Sequence, residues 1–131
     1  MTTSAERPES ITFTELDPGQ EFAAQVGLDS GPCTLLDMLI VPPGAVDEVI
    51  GHWRQHADYM KTQPGLISVQ MHRAVGDGGT LINLAVWESP AALLAAVSAP
   101  EFAAIATDYP PGTVCTRQLL RQEAVDGVCV A

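Results

Sequence analysis

Val46, Val49, Ile50, Trp53, Ala57 and Met60 recur at i, i+3, i+4, i+7, i+11 and i+14. This is one face of an amphipathic helix, and the segments after it switch to the two-residue period of strands. Pro64-Gly65 ends the helix, because neither residue continues a helical pattern. Leu66–Val75 and Thr80–Glu88 then read as strands joined by Gly76-Asp77-Gly78-Gly79, whose Asp-Gly suits a two-residue type I′ hairpin. Upstream, Thr34–Val41 reads as a strand stopped by Pro42-Pro43-Gly44. Downstream, Ser89-Pro90 supplies an N-cap and a first-turn proline for a helix carrying Leu93, Leu94 and Val97, which Pro100 breaks. A last strand follows Tyr109-Pro110-Pro111-Gly112, over Thr113–Glu123. Strand, helix, strand, strand, helix, strand is the order of an α+β ferredoxin-like βαββαβ sandwich.

The chain has 131 residues, enough for one domain with a modest core. Residues 1–30 read as an arm, its first ten disordered and its remainder carrying Ile11, Phe13 and an Asp17-Pro18-Gly19 turn; residues 31–131 form the domain. The arm packs either on the domain or on a partner. Sixteen acidic residues against six basic ones, with Lys61 the sole lysine, give a formal charge of −10. That disfavours nucleic acid, whose phosphates draw on clustered Lys and Arg, and equally the anionic thioesters of coenzyme A or an acyl carrier. A neutral or weakly acidic small molecule fits better. No apolar run approaches the roughly 20 residues of a membrane span, and the polar N-terminus lacks a secretory apolar region, so a cytoplasmic protein is expected. Cys33, Cys115 and Cys129 are far apart and without a Cys-x-x-Cys, which signals neither a disulfide framework nor a zinc site.

With Asp77-Gly78 as the loop, hairpin partners sum to 155, which sets His72 opposite Asn83, Gln70 opposite Ala85 and Ser68 opposite Trp87. Ile67, Val69, Met71, Ile82, Leu84 and Val86 then share one apolar face, and Ser68, Gln70, His72, Asn83 and Trp87 the other. One helical layer covers one side of a sheet, so a second subunit is expected over the apolar face, leaving the polar face to line a pocket. Asn83 carries the sharpest signal: a buried amide in an apolar strand costs about 1–3 kcal/mol unless bonded. Trp87 before a helix N-cap can equally fill the core. His52 and His56 lie off the helical stripe and read as a solvated face; their His-x-x-x-His spacing lacks a third ligand, so no metal site is expected.

Leu81–Ser89 with Asn83 and Trp87, together with Pro64-Gly65, His72-Arg73 and Ser98–Phe102, resembles the antibiotic biosynthesis monooxygenase family over about 31–125. The resemblance implies a homodimer whose sheets close into an α/β barrel. It also implies cofactor-independent oxidation of a phenolic polycycle, anthrone-like and of aromatic-polyketide type, by O2 to a quinone. His72 would be the base, Asn83 the oxyanion donor and Trp87 the stacking and N–H partner. Ser68, Gln70, Trp53, Tyr59 and Leu93 are the candidate substrate contacts; Leu93 stands where some oxygenases of the family carry a tyrosine. A polyketide cyclase and a non-catalytic binding dimer are the alternatives. A haem-degrading activity fits least, because Pro90–Ala106 holds no histidine.

Overall fold

The computed structural model describes residues 11–105 and 108–131; the segment 1–10, expected to be disordered, lies outside them. The elements among the described residues run β1 (Ile11–Glu15), α1 (Phe22–Gln25), β2 (Cys33–Ile40), α2 (Val46–Met60), β3 (Leu66–Arg73), β4 (Thr80–Trp87), α3 (Pro90–Ser98), α4 (Pro100–Ala103) and β5 (Thr113–Leu120). The sheet order is β1-β5-β2-β4-β3. The last four strands pair antiparallel in the ferredoxin-like order, and β1 adds a parallel edge strand to β5.

Local chemistry accounts for most boundaries. Asp47 and Glu48 sit in the first turn of α2, where carboxylates meet the positive end of the helix dipole. Ser89 Oγ accepts the Ala92 N–H at 3.1 Å and Pro90 opens α3. Pro100 ends α3, as its missing N–H requires, and also starts the one-turn α4. Gly65 has φ +92, and a Cβ there would stand 2.5 Å from that of Ala92. Only glycine lets the start of β3 approach α3 so closely.

The hairpin register differs from expectation, with large consequences. Ala74 N–H donates to Thr80 O at 2.9 Å, so the loop is the five residues 75–79 and the strands pair with partners summing to 154. Met71 faces Asn83, Val69 faces Ala85 and His72 faces Ile82. A tertiary contact sets this closure. Gly79 continues the β2–β4 ladder by accepting Val41 N–H at 2.9 Å, and a Cβ on it would meet Val41 O at 2.7 Å. Gly79 is thereby withdrawn from the turn, and a one-residue slip moves every β3 side chain to the opposite face.

The two faces are therefore reassigned. Val69 and Met71 turn toward the helices with Leu81, Asn83, Ala85 and Trp87, whereas Ser68, Gln70 and His72 are exposed on the far side. Ile82, Leu84 and Val86 do keep the outward face, joined by Leu36, Met38 and Ile40 of β2. Ile67 sits at a register shift between Leu66 and Ser68 and is exposed. Under the helices lie two buried clusters, one around Trp87, Leu93, Ala96 and Cys33, the other around Val49, Leu81, Leu39, Tyr109 and Cys115. None of the helices is long and apolar enough to cross a membrane, among the described residues.

Candidate active site

Between the sheet and α2–α3 lies a cavity of about 950 Å³, at the upper end of the volumes that hold drug-sized ligands. A row of side chains runs straight across the sheet beneath it, and the middle three of the row, Asn83, Asp37 and Arg117, line the cavity floor. Met71 of β3 pairs with Asn83 of β4, Asn83 with Asp37 of β2, Asp37 with Arg117 of β5, and Arg117 with Glu15 of β1. All five point to the helical side by strand alternation. Four of the five are polar, on a face whose neighbouring rows are Leu35, Ala85 and Leu119 on one side and Leu39, Leu81 and Cys115 on the other. Directly paired side chains have Cβ atoms about 5 Å apart, so Asn83 to Arg117 spans about 10 Å, two strand spacings.

Several polar atoms here have no protein partner. Asn83 Oδ1, Trp87 Nε1 and Arg117 Nε are buried and make no hydrogen bond, and all three residues line the cavity. Leaving such groups unpaired costs about 1–3 kcal/mol each, which a polar ligand or water in the cavity would recover. Asp37 lies deep in the protein yet keeps accessible surface, because it opens into the cavity. Burial pushes its carboxyl up to about 6, while Asn83, Arg117 and the Cys115 thiol hold it back; the thiol reaches Asp37 Oδ1 at 3.8 Å. Burial, then the neighbouring Asp37, raises the Cys115 thiol well above its ordinary range. Tyr109 is raised likewise, by burial first and then by Cys115 and Asp37. Both stay protonated at neutral pH.

The arm closes one side. Ile11, Phe13 and Phe22 line the cavity, and the Arg117 guanidinium is held between the two phenylalanine rings at 4.5 Å from each centroid. Among the described residues no carboxylate lies within ion-pair distance of it. Glu15 Oε2 accepts Phe22 N–H at 2.7 Å, and Gln25 Oε1 accepts Leu119 N–H at 2.7 Å. These bonds tie α1 to the sheet.

Of the expected site residues, Asn83, Trp87, Trp53 and Leu93 line the cavity. His72, Ser68 and Gln70 do not: the register slip puts them on the outer face, where His72 Nδ1 lies 3.3 Å from Ile82 O. The expected His72–Asn83 contact is replaced by Met71–Asn83. Tyr59 lies outside the cavity wall, with its hydroxyl donated to Ala96 O at 2.8 Å. The solvated face assigned to the helix histidines is also corrected. His56 lines the cavity and packs 5.0 Å from Phe102, and burial lowers its pKa. It follows Val49 by seven residues, hence only about 20° from the apolar stripe. His52 packs 5.3 Å from Tyr109, with Nδ1 buried and unpartnered. No three His, Cys, Asp or Glu side chains converge as metal ligands among the described residues. Of the residues absent from the expected set, Asp37 carried a signal as the lone charge in the largely apolar β2, and Arg117 as the lone charge of β5.

A sheet in the ferredoxin-like order with a cavity between it and the helices that cover it defines an α+β domain of ferredoxin-like fold. The profile of the antibiotic biosynthesis monooxygenase family matches residues 34–108, and the chain belongs to that family. Among solved structures, it is similar to a candidate monooxygenase from Shewanella loihica PV-4, with 28% identity and a TM-score of 0.61 over 76% of this chain and 100% of that one. SnoaB, a cofactor-independent oxygenase from Streptomyces nogalater, shares the fold at 19% identity and a TM-score of 0.63, over 75% of this chain and 99% of that one. The heme-degrading protein Rv3592 from Mycobacterium tuberculosis shares it at 23% identity and a TM-score of 0.54, over 73% and 99%. No curated protein matches in sequence.

Proposed function

We propose that the protein is a cofactor-independent monooxygenase that oxidises an anthrone-like phenolic polycycle with O2 to a quinone inside the cavity. The observation that carries this reading is the pair of unpartnered polar atoms, Asn83 Oδ1 and Trp87 Nε1, in an otherwise largely apolar cavity. An ionised hydroxyanthracene is electron-rich enough to give O2 one electron by itself. The protein's work is to favour the anion, exclude bulk water and hold the radical pair together until it combines. Trp87 N–H donates to the substrate oxygen. Asn83 accepts the hydroxyl of the neutral phenol and, after a half-turn of its amide, donates to the anion, since an amide does both. Trp53, Leu93, Phe102 and Val97 supply the apolar walls for the rings.

The active unit in this reading is a homodimer. Leu36, Met38, Ile82, Leu84 and Val86 form an apolar outer face on the side of the sheet away from the helices of the described residues, and a second sheet packed there would bury it. SnoaB, a cofactor-independent oxygenase of the same fold, supports the oxygenase reading.

Oxygen uptake and quinone absorbance with an anthrone test the proposal. Wild type should consume one O2 per quinone formed. Asn83→Ala should lose about 10²–10³ in turnover, as other oxyanion donors do, and Trp87→Phe should fall between. His72→Ala should match wild type, as its ring is on the far side of the sheet. Full turnover by Asn83→Ala would refute the site, and turnover without oxygen uptake would favour the cyclase.

A further inference from the structure

With His72 on the outer face, the cavity needs another group to ionise the substrate, and the floor supplies one. We propose that Asp37 is the proton acceptor of this reaction, taking the phenolic proton of a substrate bound over Asn83 and returning it to the oxygen adduct. The inference rests on the oxygenase reading for its second half only.

Three observations carry it. Asp37 pairs directly with Asn83 across β2 and β4, so an oxygen held by the Asn83 amide lies within reach of the Asp37 carboxylate, their Cβ atoms being about 5 Å apart. Its hydrogen-bonding neighbours are the Asn83 amide and the Cys115 thiol, the thiol a weak donor at 3.8 Å, and a carboxylate with about four lone-pair sites keeps capacity to accept a further proton. Among the described residues, the carboxylates that line the cavity are Asp37, which is deep, and Asp108, which is exposed. The other charged and titratable groups around it are Arg117 and Cys115 of β5, Glu15 of β1, Tyr109 before β5, and His52 and His56 of α2. Arg117 sits beside Asp37 and favours the ionised base, while Tyr109 and Cys115 are held protonated and do not compete for the proton. His56 belongs to the helical roof and is the alternative acceptor. A carboxyl raised to about 6 is ionised at neutral pH and closer in basicity to a phenolate than an ordinary aspartate.

The steps balance. Asp37 takes the phenolic proton, and the anion passes one electron to O2. The resulting radical and superoxide combine at the carbon para to the phenolic oxygen, forming a C–O bond. Asp37 then protonates the distal peroxide oxygen. The O–O bond breaks as the C–H proton leaves, giving the quinone carbonyl and one water, and Asp37 is again ionised.

The test separates proton transfer from oxidation. Under argon, ionisation of an anthranol on mixing with the protein is followed by the absorbance of its anion; in air, oxygen uptake is followed against pH. Wild type should form the anion at neutral pH. Asp37→Asn, which keeps the shape, should lose about 10²-fold or more of both rates at neutral pH, within the range for general-base catalysis. It should lose kcat more than KM, lose the acid limb near 6, and regain rate in alkali where the substrate ionises unaided. Asp37→Ser replaces it if Asp37→Asn does not fold. Anion formation at the wild-type rate in a folded Asp37 variant, an unchanged acid limb, loss of that limb in His56→Gln instead, or no anion formation by wild type overturns the proposal. Anion formation that depends on Asp37 without oxygen uptake keeps the acceptor and removes the oxygenase reading.

Discussion

Replacing Asp37 by Asn should make the protein more stable at pH 8 than wild type by a margin that disappears toward pH 4. The carboxyl rises from an ordinary 3.8 to about 6 on folding, with burial as the leading cause. The folded state therefore holds a proton between those values that the unfolded chain has already released, and stability falls as pH rises through that window. Below about 3.8 both states are protonated and the carboxyl's contribution is fully present; above about 6 it is lost. At 1.36 kcal/mol per pH unit, two units give a ceiling of about 3 kcal/mol. Contact of the carboxylate with water in the cavity reduces this, so about 1–3 kcal/mol is expected. Asn does not titrate, and any loss of its contact with Arg117 adds a constant offset, so the test is the change in the difference between the two proteins with pH. Urea unfolding of both from pH 4 to 8 measures it, and thermal unfolding should show a parallel relative gain in Tm for Asp37→Asn of roughly 3–5 °C per kcal/mol for a chain of this size. Stability curves that run parallel across this range would refute the reasoning and place the Asp37 carboxyl in a polar, ordinary environment.

Leu84→Lys sets an ammonium in the middle of the outward apolar face and should convert a dimer to monomers in sedimentation velocity, since a buried unpaired charge costs several kcal/mol; a wild-type monomer would remove the dimer from the proposed function. Gly65→Ala combines an unfavourable positive φ with a Cβ 2.5 Å from that of Ala92, and should cost about 2 kcal/mol or more by denaturant unfolding.

Much of the fold was legible because its signals are local. The stripe from Val46 to Met60 identifies α2, Ser89-Pro90 opens α3 through a cap bond made three residues away, and the alternation in β4 survives as strict burial of Leu81, Asn83, Ala85 and Trp87. Asn83 was visible as a cavity residue for the same reason: an amide in an apolar strand stands out wherever the strand pairs. The place of β3 was not legible. Its face depends on whether the loop holds an even or an odd number of residues, and Gly79 settles that through its contact with Val41, almost forty positions upstream in the chain. That contact decides whether His72 or Met71 stands beside Asn83. The polar row was equally out of reach, because Asn83, Asp37, Arg117 and Glu15 come from four strands and are brought into line only by three separate registers. The side-chain period of a strand is written in neighbouring residues, whereas the pairing of one strand with another is a property of closure between distant segments. The sequence alone therefore determined which elements form and that Asn83 is buried, and the tertiary structure decided which side chains share the cavity with it.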